Sequence, residues 1–113
     1  MSKPTKQVVL VTTVKTTGKI VANRFVSFAG KQATATDKVL GATPYDADIN
    51  EILAVDTIGT VVVESGGTVA VGDEVSSDAQ GCAVKTAGSA KAVGIARSAA
   101  AGAGELIQVL LRG

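Results

Sequence analysis

The sequence predicts an all-β fold, a small β-barrel or β-sandwich built of short hairpins with an extended N-terminal arm. Two observations carry this. The stretch Gly59 to Val84, GTVVVESGGTVAVGDEVSSDAQGCAV, alternates apolar and polar residues in short runs broken by glycine-bearing turns. No segment of the chain sustains the 3.6-residue apolar period of an amphipathic helix. Val61 with Val63, Val69 with Val71, and Val75 fall at period two, so each run lays one row of branched side chains against a core and leaves polar neighbours to water. Gly66-Gly67, Gly72-Asp73 and Asp78 to Gly81 stand where the chain must reverse, and glycine reaches positive φ without steric cost.

The elements follow in order. Met1 to Lys6 reads as disordered, and Gln7 to Val14 (QVVLVTTV) has the branched composition of a strand or extended arm. Thr16-Thr17-Gly18 breaks it. Lys19 to Phe28 (KIVANRFVSF) alternates imperfectly but places Ile20, Phe25, Val26 and Phe28 in an early strand, with Gly30 to Lys38 as the turn after it. Val39-Leu40-Gly41 and a loop through Pro44-Tyr45 lead to Ile49 to Val55, where NEILAV fits a strand or a short helical turn by pattern and is read as a strand. Beyond the hairpins, Thr86 to Lys91 is a small-residue linker and Ala92 to Ala96 a buried strand. Ala99 to Gly104 (AAAGAG) is too rich in glycine for a helix and reads as a loop. Leu106 to Leu111 (LIQVLL) closes the chain as a strand inside the sheet. The chain divides into an arm over residues 1–18 and one domain over 19–113.

Composition narrows the function. At 113 residues there is room for one core, and with aromatics at 3% that core must come from Val, Ile, Leu and Ala. Small side chains each cover little area at about 25 cal/mol per Å², so assembly with other chains would help a barrel this thin. The net charge of +1 comes from scattered Lys and Arg, with no stripe to track a phosphate backbone, so direct nucleic-acid binding is not expected. Locally the N-terminus is cationic: Lys3, Lys6, Lys15 and Lys19 meet no acid before Asp37. It reads either as a solvated tail or as a strap for an acidic protein surface. One cysteine, Cys82, rules out an internal disulfide and fits a reducing cytosol. No apolar run approaches the roughly 20 residues of a membrane span, and the start MSKPTKQ lacks the apolar core of a signal peptide, so neither membrane nor export is expected.

Chemistry is sparse. Without histidine, Ser-His-Asp and Cys-His arrangements and His-ligated metals are excluded. Cys82 reads as a small core or interface residue, since only Lys85 nearby would lower its pKa. Asp46, Asp48 and Asn50 imitate the first half of a calcium loop, but Glu51 and Thr57 stand where that loop needs glycine and a bidentate glutamate. Asp46, Asp48, Glu51 and Asp56 could pass for paired catalytic carboxylates, but no sequence feature argues for a substrate cleft between them. The glycines at 88 to 94 and 102 to 104 lack the following helix of a phosphate loop. No enzyme, metal or cofactor is expected.

The order of blocks from Gly66 to Val84, then Val93-Gly94-Ile95-Ala96, then Ile107 to Leu111, resembles the tailed-bacteriophage capsid decoration (cement) proteins. The shared pattern is GG-x-V/I-x-x-GD-x-V-x-SDA-x-G-x-AV, a VGIA strand, and an AAAG segment before the last strand. Phe25, Val26, Gly30, Val39 and Gly41 are weaker early matches, and residues 1–18 have none. The resemblance implies a structural virion protein, made in the bacterial host cytoplasm, that binds the outer capsid surface and bridges neighbouring major capsid protein subunits. It further implies a homo-oligomer, a homotrimer ahead of a dimer. Weak contacts repeated by a symmetric oligomer would add up through effective concentration. For the capsid or oligomer interface the candidates are Val8, Val9, Leu10, Val11, Val14, Lys15, Arg24 and Phe25, with the alternative that Phe25 and the valines fill the core. Two other classes compete. A lipoyl- or biotinyl-type carrier domain shares the glycine-aspartate hairpin, but neither Lys85 nor Lys38 has the setting of a modified lysine. A β-barrel adaptor would bind peptides at a sheet edge.

Overall fold

The computed structural model describes residues 6–87 and 91–111. Eight strands follow one another: β1 (Gln7–Lys15), β2 (Arg24–Ser27), β3 (Val39–Thr43), β4 (Ile52–Glu64), β5 (Glu74–Ser77), β6 (Ala83–Lys85), β7 (Gly94–Ala96) and β8 (Leu106–Leu111). No helix occurs among the described residues, as the missing 3.6-residue period predicts. Seven strands form one hydrogen-bonded path, β2-β3-β4-β8-β7-β5-β6. Its two ends meet. The Phe25 N–H donates to the Gly81 carbonyl at 2.8 Å, and the Gln80 carbonyl accepts from Arg24 Nη1 at 2.9 Å and Gln32 Nε2 at 2.8 Å. The sheet therefore curls into a nearly closed antiparallel barrel, which removes the exposed edges a flat sheet would keep.

β4 organises the molecule because its two edges serve different partners. Along one edge it pairs with β1 from Thr60 back to Ile52; along the other it meets β3 at Asp56 and β8 from Gly59 to Glu64. Two separate cores lie against it. Val61 and Val63 point into the barrel with Phe25, Val75, Ile107, Val109 and Leu111. Leu53 and Val55 belong to a second cluster with Ile20 and Val26, onto which Val14, Leu40 and Ala47 pack. β2 lies between these cores: adjacent Phe25 and Val26 point to opposite faces, and both are fully buried. This explains the imperfect alternation of Lys19 to Phe28, since a strand buried on both faces has no polar row to show.

Gly59 makes the junction possible. It sits inside β4 at φ +112, and a Cβ there would stand 2.4 Å from the Gln7 carbonyl oxygen and 2.8 Å from the Val9 nitrogen. β1 answers with irregular register on either side of Leu10, and the Thr57 hydroxyl binds the Leu10 carbonyl at 2.9 Å across the gap.

Several expectations change. The run Ile49 to Val55 is not a separate strand: Asn50 turns at φ +66, Ile49 is exposed, and β4 begins at Ile52 and continues unbroken through Gly59. Val69 makes only a single bridge to Ala100, and Val71 is exposed because it already belongs to the Gly72-Asp73 turn, where the Asp73 carboxylate accepts the Ala70 N–H at 2.9 Å. The early strand is shorter than Lys19 to Phe28: Asn23 has φ +63, Ile20 makes one bridge to Ala47, and Phe28 is exposed. The expected strands at 92–96 and 106–111 are present as β7 and β8, and β8 lies between β4 and β7 inside the sheet. The disorder expected for Met1 to Lys6 lies outside the described residues except at Lys6, and residues 88–90 of the expected linker lie outside them too.

Candidate interaction surface

Of the carboxylates weighed as catalytic or calcium-binding, Asp46, Asp48 and Glu51 hold turn backbone, whereas Asp56 lies buried in β4 and pairs with Lys6; other acids cap turns as well. Main-chain N–H groups of Thr34, Ala22, Ile49, Ala70 and Gln80 donate to Asp37, Asp46, Asp48, Asp73 and Asp78, and Glu105 accepts from both Ala101 and Gly102. Glu51 accepts from the Asp48 N–H. Thus seven of the ten acids cap loop backbone, the same donor-satisfying role that Asx residues play in turns generally. A shallow depression lined by Lys19, Ile20, Val21, Asp46, Ala47, Asp48 and Glu51 is the place where acids gather. No group of three or more metal-ligating side chains forms among the described residues.

Cys82 is buried beside the turn that closes the barrel. Burial, then the Asp78 carboxylate, push its thiol pKa up; Arg24 pulls the other way and Glu64 adds to the rise. A thiol held in its protonated form is a poor nucleophile.

The cations behave differently. Two ion pairs occur among the described residues: Lys6 Nζ with Asp56 at 3.1 Å, and Arg24 Nη2 with Glu64 at 3.4 Å. Lys15, Lys19, Lys31 and Lys38 pair with no described acid. Lys15 and Lys31 lie on abutting segments, since Thr17 N–H donates to the Gly30 carbonyl at 2.9 Å. Phe28, 67% exposed, joins that end through its N–H bond to the Lys38 carbonyl at 3.1 Å. That end of the molecule therefore gathers Lys15, Lys31 and the exposed Phe28 ring, with Asp48 and Glu51 beside it on the segment hydrogen-bonded to Thr16.

Most predicted interface residues gather on β1. Val9, Leu10 and Val11 are 79%, 47% and 51% exposed, and Lys15 is exposed at the strand's end. Val8 and Val14 are half-buried, Val14 against the smaller core. Arg24 lies apart from them. It pins β2 to the Gln80 carbonyl and to Glu64, and so holds the barrel seam. Phe25 needs correction as an interface residue: it is fully buried in the barrel core and presents no surface to a partner. Sequence reading missed Ile52, 73% exposed and opposite Lys15 in the ladder. The signal was there, because Ile52 has the opposite parity to buried Leu53 and Val55. Lys85, the candidate for carrier-type modification, sits in β6 opposite Val75, not at a hairpin tip.

A family profile for phage cement proteins matches residues 3–112. The chain belongs to the phage cement protein family. Cement-family membership makes it a capsid-associated structural protein of a phage virion. Among solved structures, the N base of the head fiber protein gp8.5 of bacteriophage phi29 has the same fold at a TM-score of 0.68, with 22% identity over 90% of this chain and 92% of that one. No curated protein matches the chain.

Proposed function

We propose that this cement protein binds the outer surface of its phage capsid and stabilises the shell by bridging neighbouring major capsid protein subunits, without catalysing any reaction. The observation that carries the reading is the separation of roles among charged groups. Seven of the ten acids accept turn backbone N–H groups, whereas the arm strand and the Lys15–Lys31 end offer exposed apolar and cationic groups. Such a surface suits a protein partner with a complementary acidic face better than a small substrate.

In this reading the protein is made in the host cytoplasm and acts as a homotrimer, so that one bound oligomer touches several coat subunits and gains avidity from each. A dimer would serve the same principle with fewer contacts. The test is co-sedimentation of the purified protein with shells assembled from the major capsid protein of the same phage, followed by heating. Pelleting with the shells and a raised shell-disruption temperature are expected. A protein that stays in the supernatant would overturn the reading.

A further inference from the structure

β1 is the one strand off the barrel path, and its pairing with β4 leaves its second edge without a strand among the described residues. The ladder fixes which groups that edge offers. Thr16 N–H donates to the Glu51 carbonyl at 2.8 Å, and the Thr16 carbonyl accepts the Asn50 N–H at 2.9 Å, so both backbone groups of Thr16 point toward the β4 side. Backbone direction alternates along an antiparallel strand, so Val14 and Thr12 point the same way, while Thr13 and Val11 turn their N–H and C=O outward. The partner strand gives the same phase independently. The Thr43 hydroxyl reaches the Ala54 carbonyl at 3.0 Å, so Ala54, opposite Thr13, turns its backbone toward β3.

Folded proteins usually blunt such an edge with proline, lysine or cover. Val8 to Val14 has no proline and no charge, and Val9, Leu10 and Val11 stand well exposed along it. We infer that the free edge of β1 takes an extended segment of the capsid subunit as an added strand, and that this segment is an uncharged, β-prone run ending in a carboxylate. This rests on the capsid-binding reading above.

Charge selects that occupant. Lys6 is held by Asp56, but Lys15 at the other end of the strand pairs with no described acid, and Lys31 lies on the segment abutting it. A carboxylate at the end of an incoming strand meets that cationic end, while main-chain hydrogen bonds to Val11 and Thr13 supply affinity along the edge. A second copy of β1 is the poorer occupant, because residues 1–18 hold no acid that could meet Lys15.

Thr13→Pro tests this cleanly. It removes an outward N–H and fills its direction with a ring, yet leaves the β4 ladder untouched, whereas Thr13→Ala keeps the donor. Binding to shells assembled from the phage's major capsid protein should fall at least about tenfold for T13P and less than about twofold for T13A. Hydrogen exchange of the wild-type chain needs no variant: Val11 and Thr13 amides should exchange fast in the free protein and slowly on shells. Wild-type binding with unchanged exchange at both amides, or full binding by a folded T13P chain, overturns the inference and leaves capsid binding standing. Amides already protected in free protein, with self-association lost in T13P, would give the edge to a second copy and overturn it too. Failure of the wild-type chain to bind shells removes the capsid-binding reading itself.

Discussion

At the residue scale, single positions do work that composition does not reveal. Gly59 was legible only as one more hairpin glycine, yet it lies inside the longest strand, because β1 crosses β4 there too closely for any Cβ. Gly59→Ala should cost about 1–3 kcal/mol from backbone strain at positive φ alone, more once the contact with the Gln7 carbonyl is counted. Chemical denaturation with an unchanged midpoint would refute that. The carboxylates were not legible as turn caps, since capping depends on which amide a loop aims at each oxygen. Cys82 gives a pH signature. Its pKa is raised in the folded state, so the native chain holds that proton more tightly than the unfolded one. Its contribution to stability is complete below the ordinary thiol value, about 8.5, and is lost as pH rises through the raised value. Denaturation midpoints above about pH 8.5 should fall more steeply for the wild type than for Cys82→Ala, and equal slopes would contradict this.

At the scale of the element, strands defined by clean alternation and flanking turns were readable, and those with mixed duties were not. β5 and β6, with the Asp78 to Gly81 turn between them, and β8 follow the pattern in the sequence. β2 hides because both its faces are buried, and β4 because one strand serves two cores and its midpoint is a glycine. β1 was visible as β-prone, but composition cannot say whether such a run leaves the molecule or folds back. Here it pairs with β4 and covers the smaller core through Val14. Among the described residues that core holds four buried side chains against thirteen in the barrel, so the β1–β4 ribbon should open before the barrel does. Leu53→Ala should destabilise by about 2–5 kcal/mol and speed hydrogen exchange at Thr12 and Val14 well ahead of Val61 and Val63. Equal acceleration at all four amides would show one cooperative unit instead.

For the whole molecule, an aromatic-poor barrel closes its own edges at the β2 seam and keeps one edge outside the barrel, on β1. The all-β class and the cement-family resemblance were legible because hairpin glycines, the VGIA strand and the final LIQVLL strand keep their order along the chain. The candidate surface was half legible: the Val8–Val14 stretch and Lys15 were named, but Ile52, Lys31 and Phe28 join them only through long-range pairing. Oligomeric state leaves no trace in a single chain's pattern, since the same exposed strand suits a dimer, a trimer or a coat subunit. Seven acids hold turn backbone at or near the surface, while Lys15 and Lys31 pair with no described acid, the arrangement on which the capsid-binding proposal draws. The most direct measurement is a cryo-electron-microscopy reconstruction of major-capsid-protein shells saturated with this chain. The account predicts discrete density on the outer face, straddling the junctions between neighbouring coat subunits, with β1 against a coat segment. Bare shells, or density seated wholly within one subunit, would contradict it.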